Sequence, residues 1–165
     1  MVAREESESQ RTTVQKKSER EVVVTRTFDA PARLVFEAWC RPELFKKWWV
    51  PRSMGMTLRS CELDVRTGGK YRLVFGDDSA NPMAFFGKYL EVVPNKRIVW
   101  TNEESGDPGS VCTVTFEERD GKTLLVMSEL YPTKEALDAA GTGAQEATYE
   151  TFGQLDELLA ELTAR

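Results

Sequence analysis

Histidine is absent from the 165-residue chain. That omission removes Ser-His-Asp and Cys-His nucleophilic systems and the imidazole ligands on which many metal sites depend. Any acid–base chemistry falls to carboxylates and tyrosines. Cysteine is scarce and odd in number: Cys40, Cys61 and Cys112 stand far apart, without the short spacings of a metal knuckle or a redox pair. With no apolar leader at the start of the chain, they read as free thiols in a reducing compartment, small buried apolar groups rather than bridges. An excess of positive charge is also missing. Acids outnumber bases 27 to 22, for a net charge of -5, which argues against general nucleic-acid binding through phosphate neutralisation. No run approaches the apolar length of a membrane helix. The expectation is a cytoplasmic protein without metal, cofactor, nucleic-acid partner or membrane insertion.

What is present suits one soluble domain: 41% hydrophobic and 30% charged residues, with length enough for a sizeable core. Residues 1–18 are polar and mixed in charge, and are expected to be a flexible tail before a single domain spanning 19–165. EVVVTRTF (Glu21 to Phe28) is rich in β-branched residues and reads as a strand. DAPARLVFEAWC then opens a helix capped at Asp29 or Ala30, with Pro31 in its first turn. Val35, Ala38 and Trp39 give that helix its apolar stripe. Pro42 starts a second short helix that ends near Trp49, before Pro51.

Six strand-like runs follow, separated by turn signals at Gly68-Gly69, Asp77-Asp78 with Asn81-Pro82, Pro94-Asn95, the loop near Ser105 to Ser110, and Asp120-Gly121. The last is a strong hairpin signal. It pairs Arg119 with Lys122, and hence Phe116 with Leu125, Val114 with Met127 and Cys112 with Glu129. A turn at Pro94-Asn95 pairs Tyr89 with Trp100 and Glu91 with Ile98, turning Phe85, Tyr89 and Glu91 inward. The chain closes with Lys134 to Ala140, an interruption at Gly141 and Gly143, and a long helix whose face carries Ala144, Thr148, Phe152, Leu155, Leu159 and Leu162. The order β-αα-β6-α predicts an α+β fold: an antiparallel sheet of about seven strands packed on one long C-terminal helix.

FDAPARLVFEAWCRPELFKKWWVPRSM, CELDVRTGGKYRLVF and GKYLEVVPNKRIVW together resemble the START-like, birch-pollen-allergen-like (SRPBCC) superfamily. Within it they are most similar to the branch named for the activator of the ninety-kilodalton heat-shock protein's ATPase. The similarity runs from about Glu21 to Leu162, and rests on Ala30-Pro31, Trp48-Trp49, Pro51, Gly68-Gly69 and Pro94 with Arg97 in combination. The chain departs from the pattern at Val50, where many relatives have Gly, and at Thr142, where some have Met. The resemblance implies a helix-grip fold, a curved sheet wrapped around the final helix with an elongated apolar cavity between them. It does not imply one reaction, since the superfamily includes lipid carriers, hormone receptors, polyketide cyclases, aromatases and co-chaperones.

With that cavity implied, the inward aromatic set becomes a candidate ligand-binding surface: Trp48, Trp49, Met54, Tyr71, Phe75, Phe85, Tyr89, Trp100, Met127, Glu129 and Phe152. One of the paired tryptophans is expected to be core and the other to close the mouth, because successive helical residues point about 100° apart. Between Pro31 and Met54 five cations (Arg33, Arg41, Lys46, Lys47, Arg52) face two acids. This is either a solvated helix face or a rim suited to an anionic ligand head. The leading expectation is a module binding a hydrophobic or amphipathic small molecule. The alternatives are a cavity enzyme of the polyketide cyclase or aromatase type, for which Glu129 with Tyr71 or Tyr89 would be the available groups, and a co-chaperone-like interaction module. A chaperone partner is weakly supported, because the eukaryotic activator has an additional amino-terminal domain for which this chain is too short. Outward-facing Phe86, Leu90 and Val92 suit either a homodimer interface or simple packing.

Overall fold

Burial along Glu21–Phe28 alternates as the sequence pattern requires: Val22, Val24, Arg26 and Phe28 are buried and the residues between them less so. The computed structural model describes residues 12–55, 58–76, 83–103 and 109–164. In chain order these form β1 (Thr13–Lys16), β2 (Glu21–Phe28), α1 (Ala32–Cys40), α2 (Pro42–Trp48) and a 3-10 turn (Arg52–Met54). Then come β3 (Leu58–Leu63), β4 (Lys70–Phe75), β5 (Met83–Val93), β6 (Arg97–Asn102), β7 (Ser110–Arg119) and β8 (Lys122–Leu130), followed by α3 (Lys134–Ala140), α4 (Gly143–Glu146) and α5 (Thr148–Thr163). The eight strands make one antiparallel sheet in the order β1-β2-β8-β7-β6-β5-β4-β3. The architecture is the expected α+β helix grip. Phe152, Leu155 and Leu159 of α5 share one buried core with Phe28, Val114 and Leu125 of the sheet and with Val35, Ala38 and Trp39 of α1.

The sheet has one strand more than expected. Thr13–Lys16, assigned to the tail by composition, pairs with β2 from Thr13↔Thr25 to Lys16↔Val22. Its polar sequence hides the reason: it covers the free edge of β2, whose N–H and C=O groups would otherwise lack partners. Arg26, only 1% exposed, reinforces the junction by donating to Thr12 Oγ1 at 3.0 Å. The first eleven residues of the expected tail lie outside the described residues, as do the turn signals at Asp77-Asp78 and Asn81-Pro82 and the Ala144 side chain.

The β7–β8 hairpin holds the expected register throughout, from Arg119↔Lys122 to Cys112↔Glu129. Asp120 and Gly121 both have positive φ, 54° and 77°, the pair of left-handed residues that matches a two-residue turn to strand twist. The start of α1 differs from expectation. Pro31, not Asp29 or Ala30, is the N-cap and offers no side-chain acceptor. Glu118 of β7 takes that role, accepting from the Ala32 N–H at 2.8 Å.

Strand β5 bends the sheet. It pairs with β4 through Lys88 and with β6 from Tyr89 onward. At the handover stands Gly87, where an added Cβ would lie 1.9 Å from the Thr101 carbonyl oxygen. Only glycine allows the two backbones this close. A bulge between Tyr89 and Glu91 follows. Tyr89 meets Trp100 as expected, but Glu91 pairs with Val99 and Val92 with Ile98. The slip overturns the inward assignment of Glu91, which lies at the surface 2.5 Å from Arg97 Nε. It also turns Val92 onto the core, leaving Phe86, Leu90 and Val93 as the exposed apolar residues of this strand. No helix among the described residues is long and apolar enough to cross a membrane.

Replacing Gly87 with Ala should cost about 1–3 kcal/mol by overpacking against β6. Gly143→Ala, where an added methyl meets nothing within 4 Å, should be neutral or slightly stabilising. Urea denaturation of both variants distinguishes these outcomes, and a Gly87→Ala protein of full stability would refute the close-approach account.

Candidate functional site

Trp48 and Trp49 occupy different surroundings although they are adjacent. Trp48 is fully buried, its Nε1 donating to the Ala38 carbonyl at 3.0 Å and so tying α2 back to α1. Trp49 follows the last residue of α2 and stacks on Phe45, with centroids 4.8 Å apart and planes 25° apart. Trp39 lies between them and the sheet, with ring contacts to Trp48 (4.8 Å), Trp49 (5.7 Å) and Trp100 (5.6 Å). These edge and tilted arrangements suit aromatic quadrupoles.

The chain beyond Trp49 is held by one face of α5. The Gln154 amide nitrogen donates to the carbonyls of Trp48 (3.1 Å) and Val50 (2.8 Å), and its oxygen accepts from the Arg52 N–H at 2.9 Å. One turn earlier, Glu150 accepts from the Ser53 N–H at 2.9 Å and from Ser53 Oγ at 2.5 Å. One turn later, Glu157 meets Arg52 at 2.8 Å, with both side chains exposed. Spacings of three and four residues put these side chains on one stripe. The Ser53 hydroxyl, then its amide, holds the Glu150 carboxyl below its ordinary value of 4.5.

Between this loop, α1, α2, the sheet and the start of α5 lies a pocket of about 320 Å³. Nine of the expected ligand-binding residues line it: Trp49, Met54, Tyr71, Phe75, Phe85, Tyr89, Trp100, Met127 and Glu129. Trp48 and Phe152 do not. Both are fully buried, Trp48 between the two short helices and Phe152 edge-on to Phe28 at 5.5 Å. Trp39, Phe45, Val50, Pro51, Asn102, Cys112 and Gln145 line the pocket without having been singled out. Parity offered a signal for Cys112, which pairs with Glu129; nothing local pointed to Gln145. Met54 stands 55% exposed at the mouth.

None of the five cations expected at a rim is in the pocket lining itself. Arg41 is taken up by Glu37 and Glu43 at 2.9 and 2.7 Å, and Arg52 by Glu157. Among the described residues Glu129 is the single one of formal charge in the lining. Ser110 Oγ and Asn102 Nδ2 donate to its Oε2 at 2.5 and 3.0 Å, and Gln145 Nε2 donates to its Oε1 at 2.6 Å. Gln145 Nε2 also donates to the Tyr131 hydroxyl at 3.0 Å. Burial, then the neighbouring Glu129, pushes the Tyr131 phenol up to about 12. Tyr71 bridges the Thr101 carbonyl and Asn102 Oδ1 at 2.7 and 2.8 Å. Two buried polar atoms of pocket residues have no partner among the described residues, Trp39 Nε1 and Gln145 Oε1.

The Cys40 and Cys61 thiols are held protonated. Burial, then Glu37, raises Cys40 to about 12, and burial chiefly raises Cys61 to about 11. None of the three cysteines is in a disulfide. Among the described residues no group of three or more metal-ligating side chains comes together.

The family model for Activator of Hsp90 ATPase homolog 1-like protein matches residues 29–160. The chain belongs to that family. A protein of Rhodobacter sphaeroides is similar over 92% of this chain and 99% of its own, at 25% identity and a TM-score of 0.80. One from Nitrosomonas europaea is 25% identical, with a TM-score of 0.75 over 91% of this chain and all of that one. The AHSA1-like protein of Aeromonas hydrophila, 16% identical, shares the fold at a TM-score of 0.66 over 87% and 95% of the two chains. No curated protein matches the chain. Within this activator-homologue family the match spans α1, α2, the sheet from β3 to β8 and most of α5, and thus every described lining residue of the pocket.

Two outcomes follow for this face. Trp48→Ala should lower stability by about 3–5 kcal/mol, as truncation of a buried aromatic does, and Trp49→Ala by clearly less; thermal and urea melts compare them. The depressed Glu150 carboxyl contributes its loop contact in full above 4.5, and the contact is lost as pH falls through the lowered value. The Ser53 amide resonance should therefore titrate with a midpoint below 4.5 and cease to do so in Glu150→Gln. A midpoint at or above 4.5 would break the assignment.

Proposed function

We propose that this protein holds a small apolar or amphipathic molecule in the pocket between the sheet and its helices. The observation that carries the reading is the pocket itself: about 320 Å³, walled mainly by aromatic and aliphatic side chains, with its polar groups gathered around Glu129. Such walls with a few convergent polar groups are the ordinary composition of a small-molecule site, and the volume is near the lower end of the roughly 300–1,000 Å³ range. Family membership supports the fold within which such pockets arise and leaves the ligand open.

Binding is a better account than catalysis because of the state of Glu129. A general base needs a free lone pair within reach of substrate, and three of the roughly four acceptor sites of the Glu129 carboxylate are already taken by Ser110, Asn102 and Gln145. Tyr71 is likewise engaged with Thr101 and Asn102. These groups fix one another in place.

Titration with decan-1-ol should shift or quench tryptophan emission saturably, since Trp39, Trp49 and Trp100 all line the pocket. Trp49→Ala should weaken that binding about 5- to 70-fold. This corresponds to losing on the order of 50–100 Å² of contact at about 25 cal/mol per Å², or roughly 1–2.5 kcal/mol. Native mass spectrometry of the purified protein should show a small adduct that denaturation releases. Absence of both an adduct and a saturable response would overturn the reading.

A further inference from the structure

The hydrogen-bond inventory around Glu129 bears on what the pocket can accept. Both amide hydrogens of Gln145 are engaged, one on Glu129 Oε1 at 2.6 Å and one on the Tyr131 hydroxyl at 3.0 Å. This fixes the orientation of the amide, because reversing it would set the Gln145 oxygen against the carboxylate. The Ser110 hydroxyl hydrogen goes to Glu129 and the Tyr71 hydroxyl hydrogen to Thr101 or Asn102. Asn102 Nδ2 meets Glu129, Ser110 and Cys112. The Thr148 hydroxyl donates to the Gln145 carbonyl at 2.5 Å. The donors of Gln145, Ser110, Tyr71, Asn102 and Thr148 are thus matched within the cluster, whereas the acceptor Gln145 Oε1 has no partner among the described residues although its residue is 1% exposed. A buried acceptor left unmatched is a standing cost. The cluster also carries one carboxylate and no cation, so its field opposes a second negative charge and strengthens as water is excluded.

We propose that the Glu129 end of the pocket receives the hydrogen-bond-donating head of an apolar molecule, a hydroxyl or a protonated amine, and rejects a carboxylate or phosphate. The donor is received by the acceptors that Glu129 and Gln145 bring to this end of the lining, and the Glu129 carboxylate supplies the electrostatic preference. Trp39 Nε1, the other unmatched atom of the lining, lies among the aromatic rings and suits an acceptor elsewhere on the same molecule. This inference rests on the pocket being a binding site.

The test compares three ten-carbon probes on the full chain by tryptophan fluorescence: decan-1-ol, decylammonium and decanoate. Decan-1-ol or decylammonium should bind at least tenfold more tightly than decanoate, and the better of the two identifies the head. Glu129→Gln should narrow the gap by raising decanoate affinity severalfold, and Gln145→Leu should weaken the alcohol and leave decanoate unchanged, with thermal melts confirming folded variants. The wild-type ranking decides the matter even if a variant does not fold. Decanoate binding as well as decan-1-ol or better would overturn the head assignment while leaving the pocket reading intact. Failure of all three probes to bind would overturn the pocket reading and this inference with it.

Discussion

The site depends on the side chain of Gln154. It is 5% exposed and meets three backbone groups where the chain passes from α2 into the 3-10 turn, the carbonyls of Trp48 and Val50 and the N–H of Arg52. A buried amide costs free energy unless its donors and acceptor are all matched, and here the loop and the amide satisfy each other. The position of Trp49, Val50 and Pro51 along the pocket is thereby referred to α5, and α5 to the sheet through Phe152 and Leu155. Loss of the clasp would leave the core of Trp39, Trp48 and Phe152 in place while releasing the wall beside it.

Much of the architecture was legible because it rests on local signals. Asp120-Gly121 set the β7–β8 register, and alternation placed Tyr71, Tyr89, Met127 and Glu129 on the inner face. The failures have non-local causes. Glu91 was placed inward because a bulge cannot be read from alternation; it adds one residue and reverses the parity beyond it. Thr13–Lys16 looked like tail because an edge strand that mainly covers another strand needs little apolar character. Trp48 and Trp49 were recognisable as a divided pair, but which one faced the pocket depended on the Ala38 carbonyl being within reach of an indole N–H. The polar partners of Glu129 were the least visible. Ser110, Asn102 and Gln145 come from β7, β6 and α4, and only the assembled sheet brings them together.

The pocket is also a compromise in packing. Four tryptophans and two phenylalanines crowd the region where α1 and α2 meet the sheet, and their edge-to-face contacts fill space efficiently. Rigid rings do not collapse into gaps as methionine does. Beyond the close approach at Gly87, Tyr71, Phe75 and Phe85 of β4 and β5 form another wall of the pocket. A stiff aromatic floor facing a bent sheet leaves a space that neither can close.

The sheet order has a consequence for how the molecule comes into being. Strand β2 precedes β3 to β8 in chain order, yet it pairs along its length with β8, Glu21 with Leu130 through Phe28 with Thr123. A ribosome must release nearly the whole sheet before its opening strand can be seated, so β2 waits while the hairpins from β3 to β8 assemble in turn. Closing so large a loop is slow relative to forming those hairpins. The helix that carries Gln154 is made later still. Sheet first, enclosure last is therefore the order imposed on a nascent chain, and the apolar wall stays open to water, or to any molecule that enters early, until α5 has been made.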